Sequence, residues 1–177
     1  MTGAAVARRA AALAVICAAT AALIASPVRP QPPSGGAAAV AETGPVRVAV
    51  AAPKSAPAGK PFTVTVTFTV APEYHIYPPA KDQANIPTSV AVSAPAGFSV
   101  GAPAFPKPRV ATVAGDEIEL YEGAVRVAVP VTFAKNAPRP GTPARLTVRA
   151  RFQACTAESC LPPKTVERTV TVAVTGG

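Results

Sequence analysis

The chain has 177 residues, 49% of them hydrophobic and 15% charged, with 22 Pro, 12 Gly, three Cys and no Trp. Its 17 Lys and Arg against nine Asp and Glu leave a formal net charge of +8. Such a length holds one ordinary core domain and leaves no room for a second. The basic residues are spread singly, with no recognition motif beside them, which excludes nucleic acid as a partner.

The N-terminus carries Arg8 and Arg9, then a run from Ala10 to Ile24 of almost nothing but Ala, Leu, Val and Ile, ending near Ala25-Ser26. A basic start, a short apolar stretch and small residues at its end make residues 1–25 a secretory signal peptide. The apolar run is shorter than the roughly 20 residues that cross a bilayer; left uncleaved, it becomes an N-terminal membrane tether. Cys17 follows Ile16, where a lipoprotein signal wants a small residue, so lipidation is not expected. Residues 26–44 are rich in Pro, Ala and Gly, a composition that cannot bury enough apolar surface to offset its ordering entropy, and they form a disordered tether. The domain is residues 45–177. Once Arg8 and Arg9 leave with the signal, 15 basic residues stand against nine acidic ones, a solvated positive surface suited to an exported protein.

Within the domain, apolar and polar residues alternate along short segments. Val46 to Val50 is the first. In Phe62 to Val70, Phe62, Val64, Val66, Phe68 and Val70 take one face and four threonines the other. Ser89 to Val92 and Ile118 to Tyr121 are shorter runs. Val125, Val127, Val129, Val131 and Phe133 repeat the pattern, as do Leu146, Val148, Ala150 and Phe152 against Thr147, Arg149 and Arg151; Thr165 to Val174 closes the set. Segments such as Ala56-Pro57-Ala58-Gly59 and Asn136-Ala137-Pro138-Arg139-Pro140-Gly141 separate them as turns. A period of two marks half-buried antiparallel strands. About seven or eight such strands, each with one apolar face, must pack as two sheets, so the fold is read as all-β, an immunoglobulin-like antiparallel β-sandwich.

After loss of the signal, Cys155 and Cys160 are the remaining thiols, in Phe152-Gln153-Ala154-Cys155-Thr156-Ala157-Glu158-Ser159-Cys160-Leu161-Pro162-Pro163. In an oxidising compartment they are expected to form one intramolecular disulfide. A loop of six residues contributes only about 2 kcal/mol in the chain-entropy model, at the low end for disulfides. Nor is it the inter-sheet bridge of immunoglobulin domains, which joins distant cysteines against a buried Trp. Followed from Leu146, the alternation puts Phe152 and Ala154 on the core face and Gln153 and Cys155 on the outer one, so the first sulfur is expected at or near the surface. A tight pair at a strand end, ahead of a stiff Pro-Pro, can present a sulfur to a partner, and exchange depends on thiolate character and access. Lys164, Arg149 and Arg151 would favour a thiolate; Glu158 would oppose it.

The segment from Phe152 to Pro163 resembles the cysteine motif of the N-terminal periplasmic domain of the bacterial transmembrane thiol-disulfide interchange protein DsbD. In consistent order, Glu73-Tyr74-His75-Ile76-Tyr77 is similar to the family's aromatic segment and Ile86-Pro87-Thr88 to its Leu-Pro-Thr. Phe105-Pro106-Lys107-Pro108 resembles its Pro-rich stretch, and Tyr121-Glu122-Gly123 with Val127 to Val131 its later strand. The resemblance implies an immunoglobulin-like fold in the periplasm. It implies that Cys155 and Cys160 are a redox pair that takes electrons from a membrane-embedded thiol-disulfide carrier, without a small-molecule cofactor. The electrons pass to periplasmic thioredoxin-like proteins, including a disulfide isomerase and a cytochrome c maturation thioredoxin. It also implies that the second cysteine, Cys160, forms the mixed disulfide, and it maps His75 and Tyr77, two apart on one face of a strand, beside the sulfurs as partner-binding residues. The family's cap loop carries an aromatic and acidic residues; the corresponding stretch here, Arg109 to Gly115, has neither before Asp116.

His75 is the single histidine, and Met1 leaves with the signal, so no metal site is expected. No Gly-rich phosphate loop or nucleophile motif supports a nucleotide-binding or hydrolase reading. Tyr74, Tyr77 and Tyr121 read by themselves as sandwich core or rim. The residues leave three functions open: a thiol-disulfide relay, a non-enzymatic binding module whose disulfide only shapes a loop, and a structural cell-envelope domain on a Pro-rich tether. The cysteine motif favours the first.

Overall fold

A computed structural model describes residues 44–79, 85–134 and 139–176. The signal segment and all but the last residue of the tether lie outside the described residues, as do Lys81, Lys135 and part of the turn at 136–141. The described residues contain ten strands: β1 (Val46–Ala51), β2 (Ser55–Pro57), β3 (Pro61–Val70), β4 (Ser89–Ser93), β5 (Phe98–Val100), β6 (Arg109–Val113), β7 (Asp116–Leu120), β8 (Ala124–Phe133), β9 (Pro143–Phe152) and β10 (Lys164–Thr175).

They form two four-stranded sheets, β1-β3-β8-β5 and β2-β10-β9-β4, with β6 and β7 as a separate hairpin. The fold is an immunoglobulin-like β-sandwich. Its core is the set of alternating residues: Phe62, Val64, Val66, Phe68 and Val70 of β3, Val125 to Phe133 at every second position of β8, and Leu146, Val148, Ala150 and Phe152 of β9 are all buried. The threonines of β3 face away, which is why one face carries branched apolar side chains and the other hydroxyls. Across the two sheets Phe68 meets Phe152 edge-on, ring centroids 5.8 Å apart; at the far end of β8, Phe133 packs on Phe62 at 5.1 Å and Phe98 at 4.6 Å. Truncating so buried an aromatic as Phe68 to Ala costs about 3–5 kcal/mol.

Three strands do not follow from alternation. Ser55–Pro57 pairs in parallel with Ala173–Thr175, so the front of the Ala56–Gly59 turn is an edge strand; the turn itself occupies Ala58 and Gly59, the latter at φ 74°. β5 has three residues paired with the end of β8. It stops where Gly101 donates to the Pro130 carbonyl at 2.8 Å, and a Cβ at Gly101 would stand 2.7 Å from the Pro130 ring. β6 pairs with β7 around Ala114 and Gly115, at φ 52° and 96°, a two-residue turn with both central residues left-handed.

Candidate functional site

The β9–β10 ladder ends at the pair Phe152 and Lys164. The residues between fold into a small hairpin of their own, in which Leu161 N donates to the Ala154 carbonyl at 2.9 Å and Thr156 N to the Ser159 carbonyl at 2.8 Å. The Thr156 hydroxyl accepts from Glu158 N at 3.3 Å and Ser159 N at 3.2 Å and so fixes the tip. Between the two rungs, Cys155 and Cys160 stand opposite one another as a non-hydrogen-bonded pair, Cα atoms 4.0 Å apart, joined by a disulfide. Such pairs bring side chains closest.

The two sulfurs do not share an environment. Cys155 is fully buried, at 0% exposure, whereas Cys160 is exposed. This corrects the expectation from alternation, which put Cys155 on the outer face. Ala154 keeps the alternation of Phe152 and is buried as expected, but Cys155 next to it is buried as well. β9 has left its ladder there, and Cys155 takes a new neighbour. His75 N donates to the Cys155 carbonyl at 2.9 Å and Cys155 N to the His75 carbonyl at 3.0 Å. On its other side the His75 segment pairs through Ile76 with Tyr121, at 3.0 and 2.8 Å, and Thr88 N donates to the Tyr77 carbonyl at 2.9 Å. The chain enters this segment by the turn Ala71-Pro72-Glu73-Tyr74, closed by Tyr74 N to the Ala71 carbonyl at 3.2 Å. Glu73, at φ 69°, occupies a place that favours glycine.

The structure therefore brings Cys155, Cys160, His75 and Tyr77 together. His75 and Tyr77 are 4% and 5% exposed; His75 Nε2 and the Tyr77 hydroxyl form a hydrogen bond of 3.1 Å with the rings edge-on. Burial lowers the His75 pKa below 6.5, opposed by the smaller pull of Glu122, and burial raises that of Tyr77 above 10. Tyr121 is raised by burial and by Glu119; its hydroxyl donates to the Pro106 carbonyl at 2.7 Å and anchors the Pro-rich stretch.

Gln153 is the residue that alternation undervalued. Its Oε1 accepts from Ile86 N at 3.1 Å and its Nε2 donates to the Leu161 carbonyl at 3.0 Å, so one side chain ties the cysteine hairpin to the Ile86-Pro87-Thr88 segment. Its place immediately before Ala-Cys in the motif was the available signal. Of the charges named from sequence, Arg149 is held by Glu167, Nε to Oε1 at 2.8 Å. Arg151 lies with Ser89, Thr165 and Pro163 along an open groove of about 700 Å³. Glu158 and Glu73 border a cavity of about 450 Å³ beside the hairpin tip. Among the described residues no group of three or more His, Cys, Asp or Glu is placed to hold a metal ion.

The family model described as "Thiol:disulfide interchange protein DsbD, N-terminal" matches residues 42–172. The chain belongs to this family. No curated protein matches it. Among solved structures it is similar to the N-terminal periplasmic domain of ScsB from Proteus mirabilis, with TM-score 0.52 and 14% identity over 76% of this chain and 49% of that one. The chain thus spans about half the length of that structure, and at this identity the likeness concerns the fold. The reduced DsbD N-terminal domain of Neisseria meningitidis gives TM-score 0.41 and 23% identity over 70% of this chain and 86% of that one. The complex between the DsbD and PilB N-terminal domains of the same organism gives 0.42 and 25% over 60% and 73%.

Proposed function

We propose that this DsbD-type domain relays electrons through the Cys155–Cys160 disulfide, from a membrane-embedded thiol-disulfide carrier to periplasmic thioredoxin-like proteins. The observation that carries the reading is the asymmetry of the pair: one sulfur exposed, its partner fully buried. A thiolate of the reducing carrier reaches Cys160, forms a mixed disulfide with it and expels Cys155 as the leaving thiolate. The carrier's second thiol then displaces Cys160, which leaves a disulfide in the carrier and two thiols here. In the forward direction the Cys160 thiolate attacks a partner's disulfide. Cys155 next attacks Cys160 in the mixed disulfide, so the partner departs reduced and the bond here is restored. His75, paired with Cys155 through the backbone, and Tyr77, hydrogen-bonded to His75, are the partner-binding residues of the site in this reading. Residues 1–25 as export signal and 26–44 as tether place the domain outside the cytoplasm, in an oxidising compartment. Among the described residues no helix is long and apolar enough to cross a membrane.

The test is a non-reducing gel of Cys155→Ala and Cys160→Ala expressed in the native host, with mass spectrometry of any shifted band. Cys155→Ala is expected to accumulate a covalent complex through Cys160, because the resolving sulfur is gone, and Cys160→Ala little. No adduct from either, with both folded and exported, would overturn the relay. An adduct from Cys160→Ala alone would reverse the roles of the sulfurs. In a dithiothreitol or glutathione series the bond is expected to be labile. A potential well below about −300 mV, the usual region of structural disulfides, with a large loss of thermal stability on reduction, would favour the binding-module reading instead.

A further inference from the structure

Exchange at Cys160 has a consequence at Cys155. When a thiolate attacks the Cys160 sulfur, one S–S bond forms, the Cys155–Cys160 bond breaks, and the electron pair of that bond leaves on the Cys155 sulfur. That sulfur sits in a residue of 0% exposure, where a bare thiolate has lost its hydration and is disfavoured. Departure needs a donor already held by the protein. Resting on the exchange reading above, we infer that His75 is this group: its neutral imidazole donates a hydrogen bond to the Cys155 sulfur as that sulfur leaves, then takes up a proton from solvent to pair as imidazolium with the thiolate, and returns that proton to solvent when Cys155 attacks in the reverse step.

Geometry carries the assignment. His75 and Cys155 exchange both backbone hydrogen bonds, so they are directly opposed and their side chains leave the same face, with Cβ atoms about 5 Å apart. Cys160, opposite Cys155 on its other side, shares that face. His75 is itself 4% exposed, an imidazole taken out of water at a cost that core packing alone does not require. Its Nε2 is occupied by the Tyr77 hydroxyl; with that hydroxyl donating, the ring proton resides on Nδ1, and the imidazole presents a donor to the site.

The charged and titrating neighbours act in known directions. Tyr77 lies on the same segment and stays protonated near neutrality, since burial raises its pKa. Glu122, next to Tyr121 on the facing segment, favours an imidazolium but is paired with Arg109 at 2.9 Å. On the remaining side Pro87 and Thr88 bring no titrating group. Burial dominates, so the ring is neutral in the oxidised protein, and a charge becomes favourable there when a thiolate appears beside it. In the reduced protein His75 and Cys155 titrate as a pair.

Because the chain holds one histidine, the imidazole NMR titration of the unmodified protein reports on it directly. The His75 pKa is expected to rise on reduction; the same titration in both redox forms would overturn the inference. Stopped-flow reduction of the oxidised protein by dithiothreitol gives the second readout. Per dithiothreitol thiolate, His75→Gln is expected to react about tenfold more slowly near pH 7, about the effect of weakening one hydrogen bond to a charged group, and to lose one ionisation from its rate–pH profile. Tyr77→Phe keeps the ring face but frees Nε2, and is expected to displace that same ionisation. Profiles for a folded His75→Gln that superimpose on wild type would overturn the role of His75. A wild-type disulfide that dithiothreitol fails to reduce would instead overturn the exchange reading on which it rests.

Discussion

Thr88 has a hydroxyl that is fully buried and bonded to nothing among the described residues. Its backbone explains why it stays: Thr88 N is the donor that holds the Tyr77 carbonyl. The side chain contributes nothing comparable, since an orphaned buried polar group costs about 1–3 kcal/mol. Thr88→Val keeps the shape and removes the orphan, and is expected to stabilise the domain by about 1 kcal/mol, read as a higher urea midpoint at unchanged slope. A lower midpoint would mean that the hydroxyl has a partner. The same scale explains why the Arg149–Glu167 pair is no argument for stability: both side chains are more than half exposed, at 65% and 53%, and such pairs are worth little. Gln153 is different. One of its two hydrogen bonds reaches Ile86, 67 residues away in sequence, the other Leu161, and neither was visible from the residue's position in an alternating strand.

At the scale of elements, the two hairpins show what local signals can and cannot do. The β6–β7 turn needs two left-handed residues, and the sequence supplies Gly115 for one and Ala114 for the other. An L-residue with a Cβ pays about 1–2 kcal/mol in that region, which Asn avoids in part, and Asn-Gly is the preferred pair for this turn. Ala114→Asn is therefore expected to stabilise the domain by about 0.5–1 kcal/mol, measured by equilibrium denaturation; an unchanged or lower midpoint would show that the strain is relieved elsewhere. The cysteine hairpin was legible as a motif, with its six-residue loop and Pro-Pro, but its inside and outside were not. Alternation describes a strand held in one ladder. Beyond Phe152 the β9–β10 ladder ends, His75 stands alongside Cys155 on the side opposite Cys160, and Cys155 is buried.

For the molecule as a whole, the buried histidine links the neighbourhood of the disulfide to stability. The folded-state pKa of His75 lies below the unfolded value of 6.5, so between the two the unfolded chain binds more protons. The contribution is complete above 6.5 and is lost as pH falls through that value toward the folded pKa. Tyr77 and Tyr121 act at the other end: their folded pKa values are raised above 10, the unfolded chain ionises first, and stability falls as pH climbs past 10. Urea midpoints of the oxidised protein are expected to drop between about pH 7.5 and 5.5, and the drop to shrink in His75→Gln. An equal drop in the variant would assign it to other groups.

Period-two patterning by itself determined the long strands β3, β8, β9 and β10, the faces they bury and hence the sandwich. Burial of one face is a local property that repeats along each strand, and two such sheets have one way to hide it. The cysteine motif likewise identified the family to which the chain belongs. Strands β2, β5 and β6 were left to the tertiary structure, since segments so short or so exposed become strands only when an edge is offered to them. So were the burial of Cys155, its pairing with His75 and the tie through Gln153. Each depends on which distant backbone stands alongside, and a hydrogen bond between residues 80 positions apart leaves no mark in the local order of either.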